Sequence, residues 1–248
     1  GHSTMPQMFL RLLTPAIETD DGFDMAAQWL IRDDDGTTLG EGTTDGRGLS
    51  ELVNPDEVWV KDPQNILVFV PMDNVVFLSC RVPGRSLRQI RRALPYAVED
   101  FLTQDVETMH LAHGVVRRNE TVDCLLIDDE LLRSWVSCLN KAGLTPGVMI
   151  PDASALPTEG VTASVLFELD GALIRTSSNA ANINIDLLPE VLRDLNKPRD
   201  PIDQGAPKLN FINGHLNDPE VEASSFTVEQ IIETHLQGSV LEYLASEV

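Results

Sequence analysis

Residues 82–114 read VPGRSLRQIRRALPYAVEDFLTQDVETMHLAHG, and this stretch decides how the rest of the chain is understood. Leu87, Ile90, Leu94, Ala97 and Phe101 recur at intervals of three, four, three and four. That spacing lays all five on one stripe of an amphipathic helix. Pro83-Gly84 breaks the preceding strand-like run, and Ser86 has the chemistry of a helix N-cap. Within the stripe sits Leu94-Pro95. Pro95 has no N–H to give the carbonyl of Arg91, so a kink is expected there. Glu99, Asp105, Glu107 and His110 follow, and the passage from Glu99 to His110 is read as the junction between two subdomains.

Working outward, the chain reads as mixed α and β. Toward the N-terminus, Met8–Leu13, Met25–Arg32 and Thr37–Glu41 form an antiparallel meander, turned at Asp35-Gly36. Asn65–Pro71 is almost wholly apolar, as a central buried strand would be, and Val75–Val82 follows as another. Beyond the opening stretch come a weakly alternating strand over Met109–Arg117 and a buried strand over Val122–Ile127. A helix over Asp129–Ala142 is capped by Asp128, striped by Leu132, Trp135, Val136 and Leu139, and ended by Gly143. Thr145–Pro151 completes this β-β-α-β group. Ser164–Ser177 is a hairpin turned at Asp170-Gly171. Asn196–Pro207 reads as a linker and Lys208–Asn213 as a short strand. Thr227–Leu236 reads as a helix, with Thr227 and Gln230 as a capping box and Val228, Ile231, Ile232 and Leu236 as its apolar face. No internal repeat is visible.

The chain has 248 residues, 39 acidic against 18 basic side chains, and a net charge of −21. Such a surface is repelled by nucleic-acid phosphates and by anionic lipid head groups, which excludes nucleic acid as the expected partner; the acidity either favours a basic protein or only maintains solubility. Cys80, Cys124 and Cys138 share no metal-like spacing and read as buried thiols in a reducing compartment. Gly1–Thr4 reads as an expression scar ahead of a native start at Met5, and no run is long and apolar enough to span a bilayer.

A search for catalytic chemistry returns little. His110, His113, His215 and His235 lack zinc-site spacing. No Ser nucleophile elbow, phosphate-binding loop or dinucleotide fingerprint is present. Residues 40–48 (GEGTTDGRG) are glycine-rich, but no apolar helix follows them, so a loop is expected. Glu99 and Asp105 stand six apart, on different helical faces, and read as solvated or capping carboxylates. Arg81, Arg85, Arg88, Arg91 and Arg92 are five basic residues in twelve. They form either a solvated face paired with local acids or a contact surface for anionic lipid or an acidic partner.

Leu94-Pro95-Tyr96, Glu99, Asp105-Val106-Glu107 and His110, in that order, resemble the L protein of the type II secretion system, the GspL family. The similarity extends more thinly through Val122–Ala142, with Leu131, Leu132 and Trp135, and through Val148–Leu156, with Pro151-Asp152. The resemblance implies an α/β, actin-like or ribonuclease-H-like fold of mixed sheets with flanking helices and no active site, cofactor or metal. It is divided here as 5–108 with 160–195, 109–159 with 196–222, and a helical C-terminal part at 223–248. The family holds the secretion ATPase GspE at the bacterial inner membrane through that ATPase's N-terminal domain, beside platform proteins such as GspM and GspF. A homodimer is open. A transmembrane helix would follow the cytoplasmic portion, to which this chain would correspond. Leu94, Pro95, Glu99, Asp105, Glu107 and His110 are then structural marks of the family. Glu229 and Glu233, on the expected Thr227 helix, are the candidate partner contacts.

Two rivals stand beside this reading. An actin-like ATPase would place phosphate-gripping turns after its first strand and in a later hairpin. Here the first strand runs into Thr14-Pro15, where Pro15 removes an N–H donor, and the later hairpin keeps only Asp170-Gly171. An acidic adaptor unrelated to secretion is the other.

Overall fold

The computed structural model describes residues 5–195, 208–214 and 231–248. The chain divides into two compact units, Gly1–Pro151 and Asp152–Val248.

The first unit contains β1 (Gln7–Leu12), β2 (Ile17–Thr19), β3 (Gly22–Asp24), β4 (Ala26–Arg32) and β5 (Thr38–Asp45). A short α1 (Val58–Lys61), β6 (Ile66–Val70), β7 (Val75–Arg81) and α2 (Leu87–Glu99) follow. The unit ends with β8 (Met109–His113), β9 (Thr121–Asp128), α3 (Asp129–Lys141) and β10 (Val148–Pro151). Five strands make a sheet in the order β10-β6-β1-β4-β5. β1 lies antiparallel to β4 and parallel to β6, and β6 is parallel to β10. Burial of Met8, Leu10, Leu12, Ile66, Val68 and Val70 follows from their alternation along two strands enclosed by the sheet. Trp135, Cys138 and Leu139 of α3 close over that face.

A second, three-stranded sheet, β7-β9-β8, carries α2 on one face. β9 serves both sides of it. Val122, Cys124 and Leu126 join the core beneath α2, whereas Ile127 joins the core of the larger sheet.

The second unit contains β11 (Ala163–Phe167), β12 (Gly171–Thr176), β13 (Ala180–Asn184), α4 (Leu188–Leu195), β14 (Leu209–Asn213), β15 (Ile231–His235) and α5 (Val240–Ser246). Its sheet order is β13-β12-β11-β14-β15. β11 is antiparallel to β12 and parallel to β14, and β14 is parallel to β15. This repeats the first sheet strand for strand: a central first strand, a hairpin pair to one side, two parallel strands to the other. That duplicated topology is the one an actin-like, ribonuclease-H-like architecture requires. It is a repeat of topology that no repeat in the residues announces.

Four expectations need correction. The chain does not divide as 5–108 with 160–195 against 109–159 with 196–222. β10 pairs with β6, so 148–151 belongs with the first sheet, and β11 pairs with β14, so 163–167 belongs with 209–213. The segment from Glu99 to His110 is no domain junction, because it joins α2 to β8 inside one small sheet. Residues 231–235 of the expected Thr227–Leu236 helix are strand β15, so 223–248 is not a helical part throughout. Ile231, Ile232 and Thr234 are β-branched and suit a pleated edge strand held by β14. The capping-box residues Thr227 and Gln230, and the Asn196–Pro207 linker, lie outside the described residues. Finally, the buried stripe of α2 is Ile90, Leu94 and Val98. Leu87 is exposed, and Phe101 lies past the helix end with 65% of its surface open.

Candidate partner-binding groove

The turn after the first strand is committed to internal hydrogen bonds. The fully buried Trp135 donates its indole Nε1–H to the carbonyl of Thr14 at 3.0 Å. The Thr14 hydroxyl accepts from the amide of Ala26 at 2.8 Å. Pro15 next to it has no N–H to offer. The β2–β3 hairpin beyond is tied down by Lys141, whose Nζ lies 3.1 Å from Glu18 and 4.9 Å from the centre of the Phe23 ring. A group seeking phosphate finds no amide donor at Pro15.

In the second unit the Asp170-Gly171 turn closes with the amide of Glu168 donating to Gly171 O at 2.8 Å. Gly171 is there for close approach: a Cβ on it would lie 2.1 Å from the Ile183 carbonyl of β13. The hairpin is drawn against its neighbour strand.

Between β8–β9, α3 and β10 the first unit opens an apolar groove of about 300 Å³. Leu125 of β9, Leu132 and Val136 of α3, and Met149 of β10 line it, with His110 of β8 as its titratable group. Sequence periodicity places Leu132 and Val136 one helical turn apart. They do not join Trp135 and Leu139 at zero exposure but stay half-buried toward the groove. β8 and β10 are each the outermost strand of their sheet, so the groove is bordered by two sheet edges. Nothing in the residue pattern signals it, since it arises where two sheets meet around α3.

The residues singled out earlier separate in space. Leu94 is fully buried beneath α2, and Pro95 lies inside that helix. Glu99 is its exposed last residue. Asp105 caps the turn over Val106–Thr108, its carboxylate accepting from the amide of Glu107 at 2.9 Å. Glu107 itself is exposed, and His110 alone of the set reaches the groove. Glu233 stands exposed on β15, 3.2 Å from His235, and Glu229 lies outside the described residues. Burial pushes the Cys124 thiol up to about 12, aided by its neighbour Cys80, and raises Cys138 as well. Among the described residues no group of three or more His, Cys, Asp or Glu is placed to hold a metal ion, and no helix is long and apolar enough to cross a membrane.

The family model for protein L of the type II secretion system matches residues 23–202. Type II secretion system protein L of Pseudomonas aeruginosa is 31% identical over 116 residues, 47% of this chain and 30% of that protein. The protein L of Vibrio cholerae is 28% identical over 117 residues, 47% of this chain and 28% of that protein. The matched stretch thus spans under a third of these relatives' length. The solved cytoplasmic domain of EpsL, an inner membrane component of the type II secretion system of Vibrio cholerae, is similar with a TM-score of 0.74. That likeness covers 97% of this chain and 94% of the other at 20% identity, and it is a likeness of fold. With 180 consecutive residues under the family model, the chain belongs to the family of type II secretion system protein L.

Proposed function

We propose that this chain is a non-catalytic scaffold on the cytoplasmic side of the bacterial inner membrane, docking the N-terminal domain of the secretion ATPase GspE within a platform that includes GspM and GspF. Family membership supports the secretion role. The observation that carries the non-catalytic reading is Pro15, which removes an N–H donor from the turn after the first strand, where Trp135 and Ala26 also hold the Thr14 backbone and hydroxyl in place. A phosphate held at that turn would need backbone N–H donors there. The apolar groove beside α3 offers the anchoring surface, since it joins an apolar wall to sheet edges able to hydrogen-bond an added segment. The charge of −21 steers a basic partner toward it. Glu233, with Glu229, remains a separate candidate contact.

Calorimetry tests this directly. The chain is titrated with ATP and Mg²⁺, and separately with the ATPase N-terminal domain. Binding of the domain alone is expected, weakened by rising salt because exposed charge pairs are screened. Val136→Asp should reduce it if the groove is the anchor, and Glu233→Lys if β15 is. Micromolar nucleotide binding with no binding of the ATPase domain would overturn the reading.

A further inference from the structure

We propose that the outer face of α2, together with the loop 114–120, docks on an anionic phospholipid surface. Seven of the chain's 18 basic residues gather here: Arg81, Arg85, Arg88, Arg91, Arg92, Arg117 and Arg118. All seven are exposed. Folding brings the loop to the helix. Val116 is buried in the core beneath α2, the Arg118 guanidinium donates to the carbonyl of Arg85, and Arg81 donates to the carbonyl of Asn119. Arg117 is paired with Glu120 at 3.6 Å. Among the described residues, Arg85, Arg88, Arg91 and Arg92 have no ion-pair partner.

The helix does not account for this placement. Ile90, Leu94 and Val98 define its buried side, so Arg88 and Arg92 point away from the core with Tyr96 a turn further on. Arg88 lies in the first turn, where no acidic residue sits. A cation at that positive end opposes the helix dipole, so its presence works against helix stability. The rest of a −21 chain repels an anionic surface. Carboxylates more than about 8–10 Å away are screened at physiological salt, which leaves this face as the approach. The acids carried on the same elements are Glu99 and Asp100 at the helix end, Glu120 on the loop, and Asp123 of β9, which accepts from the Ser79 hydroxyl at 2.9 Å.

Tyr96 and Phe101 favour lipid over an acidic protein segment. They stand 73% and 65% exposed, Tyr96 one helical turn beyond Arg92 and Phe101 just past the end of α2. Guanidinium with an amphipathic aromatic is the pairing that bilayer interfaces favour. The inference rests on the proposed inner-membrane placement, which keeps such a surface close to the chain.

The test is co-sedimentation of the whole chain with vesicles of about one-third phosphatidylglycerol in phosphatidylcholine, against pure phosphatidylcholine, at about 0.1 M salt. Binding to the anionic vesicles alone is expected. Arg88→Gln, Arg91→Gln and Arg92→Gln together should weaken it roughly a hundredfold, at roughly fivefold per arginine. Arg133→Gln, on α3 and paired to Asp129 at 2.8 Å, should leave it unchanged. Circular dichroism checks that each variant folds. Equal binding to neutral vesicles, no binding to anionic ones, or an unaffected triple variant would each overturn the proposal. So would binding of polyglutamate to this face without vesicle binding. Any of these leaves the ATPase-domain calorimetry standing on its own.

Discussion

Replacing Pro95 by Ala should stabilise the first unit. Pro95 is the ninth of thirteen residues in α2, so it removes the amide that would meet the Arg91 carbonyl one turn back. Proline in a helix interior is about 3 kcal/mol less favourable than alanine. Two terms oppose the gain. The freer unfolded chain takes back about 0.4–1 kcal/mol. Loss of a half-buried ring removes roughly 1 kcal/mol of apolar burial. Leu94 and Val98 on either side keep their places in the core, so no cavity forms there. The net expectation is stabilisation by about 1 kcal/mol. Urea unfolding followed by far-UV circular dichroism should show a midpoint raised by roughly 0.5 M, with an unchanged slope near about 2 kcal/mol/M. Destabilisation by about 1 kcal/mol or more would refute the reasoning. It would mean that the ring and its fixed φ hold the α2 core in register, rather than interrupting an otherwise regular helix.

Trp135→Phe should lower the stability of the same unit by about 2–4 kcal/mol, because it hollows a fully buried site and strands the Thr14 carbonyl; a urea midpoint within error of wild type would contradict this. Gly171→Ala should prevent the second sheet from closing, since its Cβ would lie 2.1 Å from the Ile183 carbonyl. Gly160→Ala, strained only by φ of +72° and with open space around it, should lose about 1–2 kcal/mol in thermal unfolding. For Cys124 the folded thiol titrates at about 12 against 9.0 as the ordinary value. Folding therefore favours the protonated form. Its contribution is complete below pH 9 and is lost as pH rises toward 12. Cys124→Ala should flatten the fall in unfolding free energy across that window.

Local chemistry made much of this fold legible. The apolar runs at 66–70 and 122–127 became buried strands because alternation and β-branching act locally, and Asp128 capped α3 as its side chain demands, accepting from Leu131 at 2.9 Å. The Asp-Gly hairpin at 170–171 formed where turn chemistry put it, although the glycine answers to the neighbouring strand β13. Residues 231–235 carry competing signals, since the helical spacing of Ile232 and Leu236 stands against β-branched content, and only the pairing with β14, remote in sequence, decides it. Two further helices carry local signals: Leu188, Leu192 and Leu195 in α4, and Ser239 with Glu242 at α5, where the Ser239 hydroxyl accepts from the Glu242 amide at 3.1 Å. The subdomain boundaries and the groove were beyond reach. Both depend on which strands meet across the sheet, and no window of sequence contains that.

The position of β10 sets a schedule for synthesis. β6 lies between β1 and β10, yet β10 is the last strand of its unit, ending at Pro151. Trp135 and Thr14 likewise lock together across 121 residues. Until residue 151 has left the ribosome, the wholly apolar β6 has one paired edge and one open edge. A nascent chain in that interval presents a hydrophobic strand to any other such chain. Chains ending before Val148 should therefore aggregate, whereas those ending just past Pro151 have every strand of the first sheet in hand.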